Sequence, residues 1–534
     1  MCDKNCNPKK LLVYTLDCLL LHLRSNHRSS SLFTFYSGQL HTLMFLRTLL
    51  LAAAAVITAA ALATVSSPTE ELYSCLRNVF THDEGIALPG EPFYRTWAKR
   101  YNLNIPVTPA AVTFPESSQQ VAAVVKCAAE HKFPVQAKSG GHGYANHCLG
   151  GTDGAVVVDL KHLQQFSMNH TNWQATIGAG TLLGDVTKQL HNAGGRAMSH
   201  GTCLQVGSGG HFTIGGLGPT SRQFGASLDH VVEAEVVLAN SSIIQASDSE
   251  NQDVFWAIKG AASGFGIVTE FKVRTEPEPT TAVQYTYTLK FGTWKERAEV
   301  FKRWQAHVSA PGLTRKLAST LTVFEYSVAI TGTFFGTQEE YDALEMDSQF
   351  PGTIGNSIVI QGWLGLVAHW AESLGMDWSD RIPTYFYAKS NAWTPENLMS
   401  SETVDKLFEF VTYAPKGTPT WFLLFDLQGG YTSDIPAEAT SYAHRDVLIW
   451  LQSYTVNPLR PISRTQIEFL DQVNTLVTDN ERPYAAYPGY VDPFLEEGAE
   501  AYWGANLPRL RRIKADIDPG NVFQNPQSPT PAED

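Results

Sequence analysis

Glycine crowds two short stretches of this 534-residue chain: Lys138-Ser-Gly-Gly-His142-Gly-Tyr144 and Gly201-Thr-Cys203-Leu-Gln-Val-Gly-Ser-Gly-Gly-His211. Seven of the eighteen residues from Gly201 to Gly218 are glycine. Such a run gives up too much chain entropy, and offers too little side-chain surface, to be a packed helix or a two-sided strand. It suits a place where main chain approaches a flat or anionic ligand, with N–H groups turned toward phosphate. Each stretch also carries one soft nucleophile, the His142 imidazole or the Cys203 thiol.

Around these stretches the pattern is that of a well-buried globular body. Hydrophobic residues make up 43% of the chain, charged residues 17%, and the formal net charge is −13. With no basic run, nucleic acid is not an expected partner. No zinc-type ligand spacing links His142, His147, Cys148, His200 and His211, so no metal site is expected. No Gly-x-Ser-x-Gly elbow or nucleotide-triphosphate loop occurs either. Near the start, Met44-Phe-Leu-Arg-Thr48, an apolar run over Leu49–Ala63 and the small-residue triplet Ala61-Leu-Ala63 read as a secretory signal, too short for a membrane span. Residues 1–43 then read as sequence upstream of the true start. An extracellular, glycosylated monomer is expected, with sequons at Asn169 and Asn240.

Periodicity predicts a helix over Ser117–His131, a strand ending at Lys138, a helix over Thr181–Ala193 stopped by Gly194-Gly195, and a strand from Val231. Beyond the turn-rich Glu276–Thr281 stretch, strands such as Val283–Phe291, Ala318–Phe324 and Trp421–Gly429 alternate with helices such as Lys295–His307. That pattern predicts a sheet with helices on one face. The expected divisions are a leader and signal over 1–63, a first domain over 64–276, a second over 277–480, and a returning C-terminal segment over 481–534. This last segment is motif-dense: Tyr487-Pro-Gly-Tyr490-Val-Asp492, Tyr502-Trp-Gly, and Asp518-Pro-Gly-Asn-Val-Phe523.

These motifs resemble those of the berberine-bridge-enzyme-like branch of the vanillyl-alcohol-oxidase flavoproteins, with most likeness to fungal glucooligosaccharide oxidases. The resemblance spans roughly residues 70 to 527. It implies an α+β fold: a two-subdomain FAD-binding domain of the PCMH type, plus a substrate domain with a large antiparallel sheet flanked by helices. It implies FAD bonded through His142 at the 8α carbon and Cys203 at C6. The cofactor neighbours would be Lys138, Ser139, Gly140, Gly141, Gly143, Tyr144, Gly201, Thr202, Val206, Gly207, Ser208, Gly210, His211, Gly215, Gly216, Gly266, Ile267, Val268 and Tyr487. Tyr490 would act as base with Asp426 assisting, and Tyr144, Trp370, Tyr387, Leu424 and Gln452 would meet the substrate. Cys75 and Cys127 would be bridged, as their counterparts are.

The implied reaction removes hydride from an alcohol carbon, foremost the anomeric C1 of a reducing oligosaccharide, and passes the electrons to O₂ as hydrogen peroxide. The alternative is a secondary-metabolism oxidase that takes a small aromatic or terpenoid alcohol or closes a ring. Three departures from the pattern bear on this choice. Gly489 stands where an asparagine is usual, Leu424 where a sugar-binding glutamine is, and Ser208 where a larger residue gates oxygen. A small residue at 208 would leave the cofactor open to O₂.

Overall fold

The computed structural model describes residues 67–373, 383–478 and 485–533; the expected leader and signal lie outside them. The first sheet holds β1 (Ile86–Ala87), β2 (Ala111–Thr113), β3 (Val135–Lys138) and β4 (Val156–Asp159), in the order β1-β2-β4-β3. β2, β4 and β3 run parallel. The unbroken Val-Val-Val-Asp of β4 is buried throughout, as a strand covered on both faces requires. Helix Ser118–Glu130 connects β2 to β3, its first turn capped by the Ser117 side chain, which accepts from Gln120 N. A disulfide joins Cys127 on this helix to Cys75 on helix Pro68–Val79.

The second sheet is antiparallel. It contains β5 (Phe166–Asn169), β6 (Gln174–Gly178), β8 (Val231–Val237), β9 (Ile243–Ser247) and β10 (Ile267–Arg274), in the order β5-β6-β10-β8-β9. A separate ribbon pairs β7 (Arg196–Ala197) with β11 (Glu276–Pro277). Val156, Ile177, Val236 and Phe271 share one core, so the two sheets pack as a single layered unit.

The third sheet is the largest: β12 (Thr281–Lys290), β13 (Leu317–Val323), β14 (Ser327–Phe334), β15 (Ile354–Gln361), β16 (Tyr385–Trp393), β17 (Trp421–Leu427) and β18 (Ile449–Asn457). Its order is β15-β12-β14-β13-β17-β18-β16, antiparallel throughout. Strand alternation gives it two unlike faces. Leu321, Phe425 and Leu451 pack against Phe301, Phe408 and Phe469 from helices Trp294–Val308, Ser401–Tyr413 and Arg464–Val477. The opposite face carries Thr320, Asp426, Gln452 and Phe386.

The segment from residue 485 onward returns to the first two sheets. Tyr502, Trp503, Leu510 and Ile513 share an apolar cluster with Trp256 and Phe265. Trp503 Nε1 donates to Gly260 O (3.0 Å), and Val135 N donates to Val522 O (2.8 Å). From Pro68 onward the chain forms one compact unit.

Candidate functional site

The two glycine stretches meet backbone to backbone. A Cβ on Gly140 would lie 2.4 Å from Gly207 N, and one on Gly207 would lie 2.1 Å from Gly140 N. No side chain fits between them, which is why both positions are glycine. Both loops rest on the end of β6: Ser139 Oγ donates to Ala179 O (2.6 Å), and Ser208 N donates to Thr181 O (2.9 Å).

Buried histidines fix the approach to Cys203. His230 Nε2 accepts from Ser199 N (3.2 Å), and His211 Nε2 accepts from Gly201 N (2.9 Å). His200 Nδ1 lies 2.7 Å from Gly201 O, which it can only reach as a donor. Burial lowers all three imidazoles, His211 and His230 to about 3, so the accepting nitrogens stay unprotonated at neutral pH. His142 is likewise lowered to about 4 by burial, and its ring lies 4.7 Å from that of Tyr101. A neutral imidazole is the nucleophilic form.

Facing these loops is an aromatic wall centred on Tyr144. Tyr101 and Tyr490 stack on it at 6.2 and 6.1 Å, and Phe386 and Tyr454 meet it edge-on at 5.2 and 5.7 Å. Gln452 Nε2 donates to Tyr144 Oη (2.9 Å) and Tyr454 Oη (2.5 Å), and the two phenol oxygens also bond each other. Leu424 sits directly across from Gln452, with Phe422 across from Tyr454. Tyr490 is held well above the usual phenol range by burial first, then by the charge of Asp426. Asp426 itself is pushed up to about 6 by burial, opposed by a 2.7 Å bond from Thr320 Oγ1. The charge of the Cys203 sulfur also acts to raise Tyr490.

Several expected residues fall elsewhere. Trp370 is buried in a cluster with Trp363 and Phe335, its indole N–H donating to Thr333 Oγ1 (2.9 Å), so it is core and not a platform. Tyr387 points to the helical face of the third sheet, where its hydroxyl donates to Asp471 (3.1 Å); its neighbour Phe386 reaches the site instead. Lys138, at the end of β3 beside the first glycine stretch, is paired with Asp159 at 2.9 Å. Ile267 and Val268 are core residues of β10, and Gly266 abuts Val236 and Val237 of β8. Ser208 is fully buried, its hydroxyl donating to Gly178 O (3.3 Å). Tyr487 Oη accepts from Gly216 N (2.9 Å), tying the C-terminal segment to the glycine loop. A Cβ on Gly489 would lie 2.3 Å from the Tyr487 ring, so glycine there follows from how that ring packs.

Tyr101, Phe386, Phe422, Tyr454 and Thr320 were not expected at the site. Strand alternation would have found most of them: Phe386, Phe422 and Tyr454 lie on the same sheet face as Asp426 and Gln452. Tyr101 carries no such signal, being in a loop. The neighbouring Asn102 Nδ2 donates to both Tyr144 O (3.0 Å) and Phe386 O (3.2 Å), drawing loop and sheet together.

The loops suit a cofactor with a flat ring and phosphates. A Cβ on Gly210 would meet nothing within 4 Å, and one on Gly143 only His147 N at 4.0 Å, so main chain there is open to close approach. Glycine loops that meet backbone to backbone, a neutral imidazole, a thiol and a buried phenol fit a flavin-dependent oxidoreductase. Residues 109–247 match the FAD binding domain family, and residues 486–529 match the berberine and berberine like family. The chain belongs to the berberine-bridge-enzyme-like FAD-linked oxidoreductases. It is 38% identical over 462 residues to the FAD-linked oxidoreductase sorD of Penicillium rubens, covering 85% of this chain and 97% of that one. It is 32% identical over 512 residues to the xylooligosaccharide oxidase of Thermothelomyces thermophilus, covering 92% and 100%. A solved structure of the glucooligosaccharide oxidase from Acremonium strictum, which carries a 6-S-cysteinyl, 8α-N1-histidyl FAD, superposes with a TM-score of 0.80 at 27% identity, covering 87% and 100%.

Proposed function

We propose that this chain is an oxidase that holds FAD by two covalent bonds, His142 to the 8α carbon and Cys203 to C6. It would oxidise the carbinol carbon of a small, flat, mostly apolar alcohol, with O₂ as final acceptor and hydrogen peroxide as product. The observation that carries the substrate class is the closed Gln452–Tyr144–Tyr454 triad. Both amide hydrogens of Gln452 are used inside the wall, and Leu424 stands opposite. Such a wall offers aromatic faces while its amide hydrogens and two of its phenols are already bonded to one another, and a sugar hydroxyl left without a partner there costs about 1–3 kcal/mol.

When bound, FAD supplies the two-electron acceptor. The protein supplies the proton path and the geometry. At neutral pH the Tyr490 phenol is protonated and the Asp426 carboxyl ionised, given their directions of shift. Tyr490 Oη takes the proton of the substrate hydroxyl as its own proton passes toward Asp426, so no phenolate accumulates in the buried site. Tyr144 and Phe386 hold the substrate ring, and Asn102 keeps those walls in register.

A second reading, oxidation of an oligosaccharide at C1, is favoured by the strip of Thr320, Thr322 and Thr331 continuing across the same sheet face. The similarity to the xylooligosaccharide oxidase favours it too. A peroxide assay separates the two. Benzylic, allylic and terpenoid alcohols should give kcat/KM at least tenfold above xylo-, cello- and malto-oligosaccharides, and the reverse order overturns the first reading. Acid-precipitated protein should keep its yellow colour, and a mass equal to polypeptide and glycans alone would remove the covalent assignment.

A further inference from the structure

We propose that Lys389 is a positioning residue for Tyr490, acting through Asp492; the proposal rests on the reading of Tyr490 as the base. β16 is the last strand at one side of the seven-stranded sheet, and Tyr487–Asp492 passes over that rim. On the site face, Tyr487 N donates to Ser390 Oγ (3.0 Å). On the helical face, the Lys389 ammonium pairs with the Asp492 carboxylate at 2.9 Å. Consecutive strand residues point to opposite faces. The segment is therefore held on both sides of one strand, with Tyr490 between the two attachments. Tyr490 N donates to Tyr487 O (2.9 Å), so the turn that presents the phenol begins at the first attachment and ends two residues before the second.

The Asp492 carboxylate is 1% exposed, whereas Asp471, a second carboxylate on Lys389 (3.1 Å), is half-exposed on helix Arg464–Val477. Without Lys389, Asp471 can turn to water. Asp492 cannot, because its backbone is fixed by Tyr502 Oη (3.1 Å) and Gln527 Nε2 (2.7 Å). A buried carboxylate without its cation must take up a proton or pull its segment outward. Either response moves the turn that carries Tyr490. A cavity of about 560 Å³, lined by Tyr387, Lys389, Asp471, Asn474 and Phe494 among others, opens beside the ammonium and is large enough to admit a small amine.

The test uses the full-length, flavin-loaded enzyme. In K389A, kcat should fall about 10- to 100-fold, the scale of a catalytic group displaced by about an ångström. KM and the covalent flavin content should stay within about twofold. Ethylammonium should restore a large part of that kcat in K389A and none in Y490F. If K389A does not fold, D492N removes the same ion pair without a buried charge and should show the same kcat loss. The proposal is overturned if the folded variants keep kcat within about twofold of wild type, or if kcat falls only in step with flavin content and ethylammonium restores nothing. Y490F separates this from failure of the underlying reading: if Y490F itself keeps wild-type kcat, Tyr490 is not the base.

Discussion

At the scale of single residues, Asp426 joins stability and activity with opposite signs. Its folded carboxyl titrates near 6, above the usual aspartate value, because burial disfavours the charge. The unfolded chain ionises first as pH rises, so this residue withdraws stability between about pH 4 and 6, on the order of 3 kcal/mol, and the deficit persists above that window. D426N should therefore raise the melting temperature at pH 7.5 and leave it nearly unchanged at pH 3.5, as differential scanning fluorimetry will read. The same substitution should lower kcat at least tenfold. In the wild type kcat should climb through about pH 6 to a plateau, and that climb should be absent from the pH profile of D426N. Phe386 belongs at this scale too. F386A should raise KM for an aromatic alcohol several-fold, whereas Y387F, altered on the far side of the strand, should leave KM unchanged.

Elements explain how much of the site could be read from the chain. The glycine stretches were legible because composition that extreme has few uses, and the structure brings both to one place through Gly140 and Gly207. G207A, with its new Cβ against the main-chain nitrogen of Gly140 as well as the Ser139 side chain, should cost about 1–3 kcal/mol. It should also weaken in-gel flavin fluorescence of the denatured protein. The third sheet was legible as strands with helices on one face, but not strand by strand. Tyr387 and Trp370 stand out in the sequence as aromatics near the right segment, but the property that decides is which face each one occupies. Alternation along β16 selects Phe386, and the cluster of Trp363, Trp370 and Phe335 is ordinary helix-on-sheet packing. The partner of Lys138 was not legible: Asp159 lies on the neighbouring parallel strand, a pairing of register that no local pattern announces.

Across the whole molecule, the bridge between Cys75 and Cys127 spans 52 residues and pins the first described helix onto helix Ser118–Glu130. In the chain-entropy account a loop of that size is worth about 4 kcal/mol. C75S should lower the melting temperature under non-reducing conditions by as much as dithiothreitol lowers that of the wild type, while kcat of the folded fraction stays the same. The imidazole and thiol both lie in the first half of the sequence, yet the phenol rides on the segment that closes over Trp256 and Phe265 near the far end. During synthesis the ribosome therefore releases the means of anchoring a cofactor long before the means of using it. A nascent chain paused after helix Arg464–Val477 already has its nucleophiles but lacks Tyr490. On the proposed roles, turnover waits for the last tenth of translation.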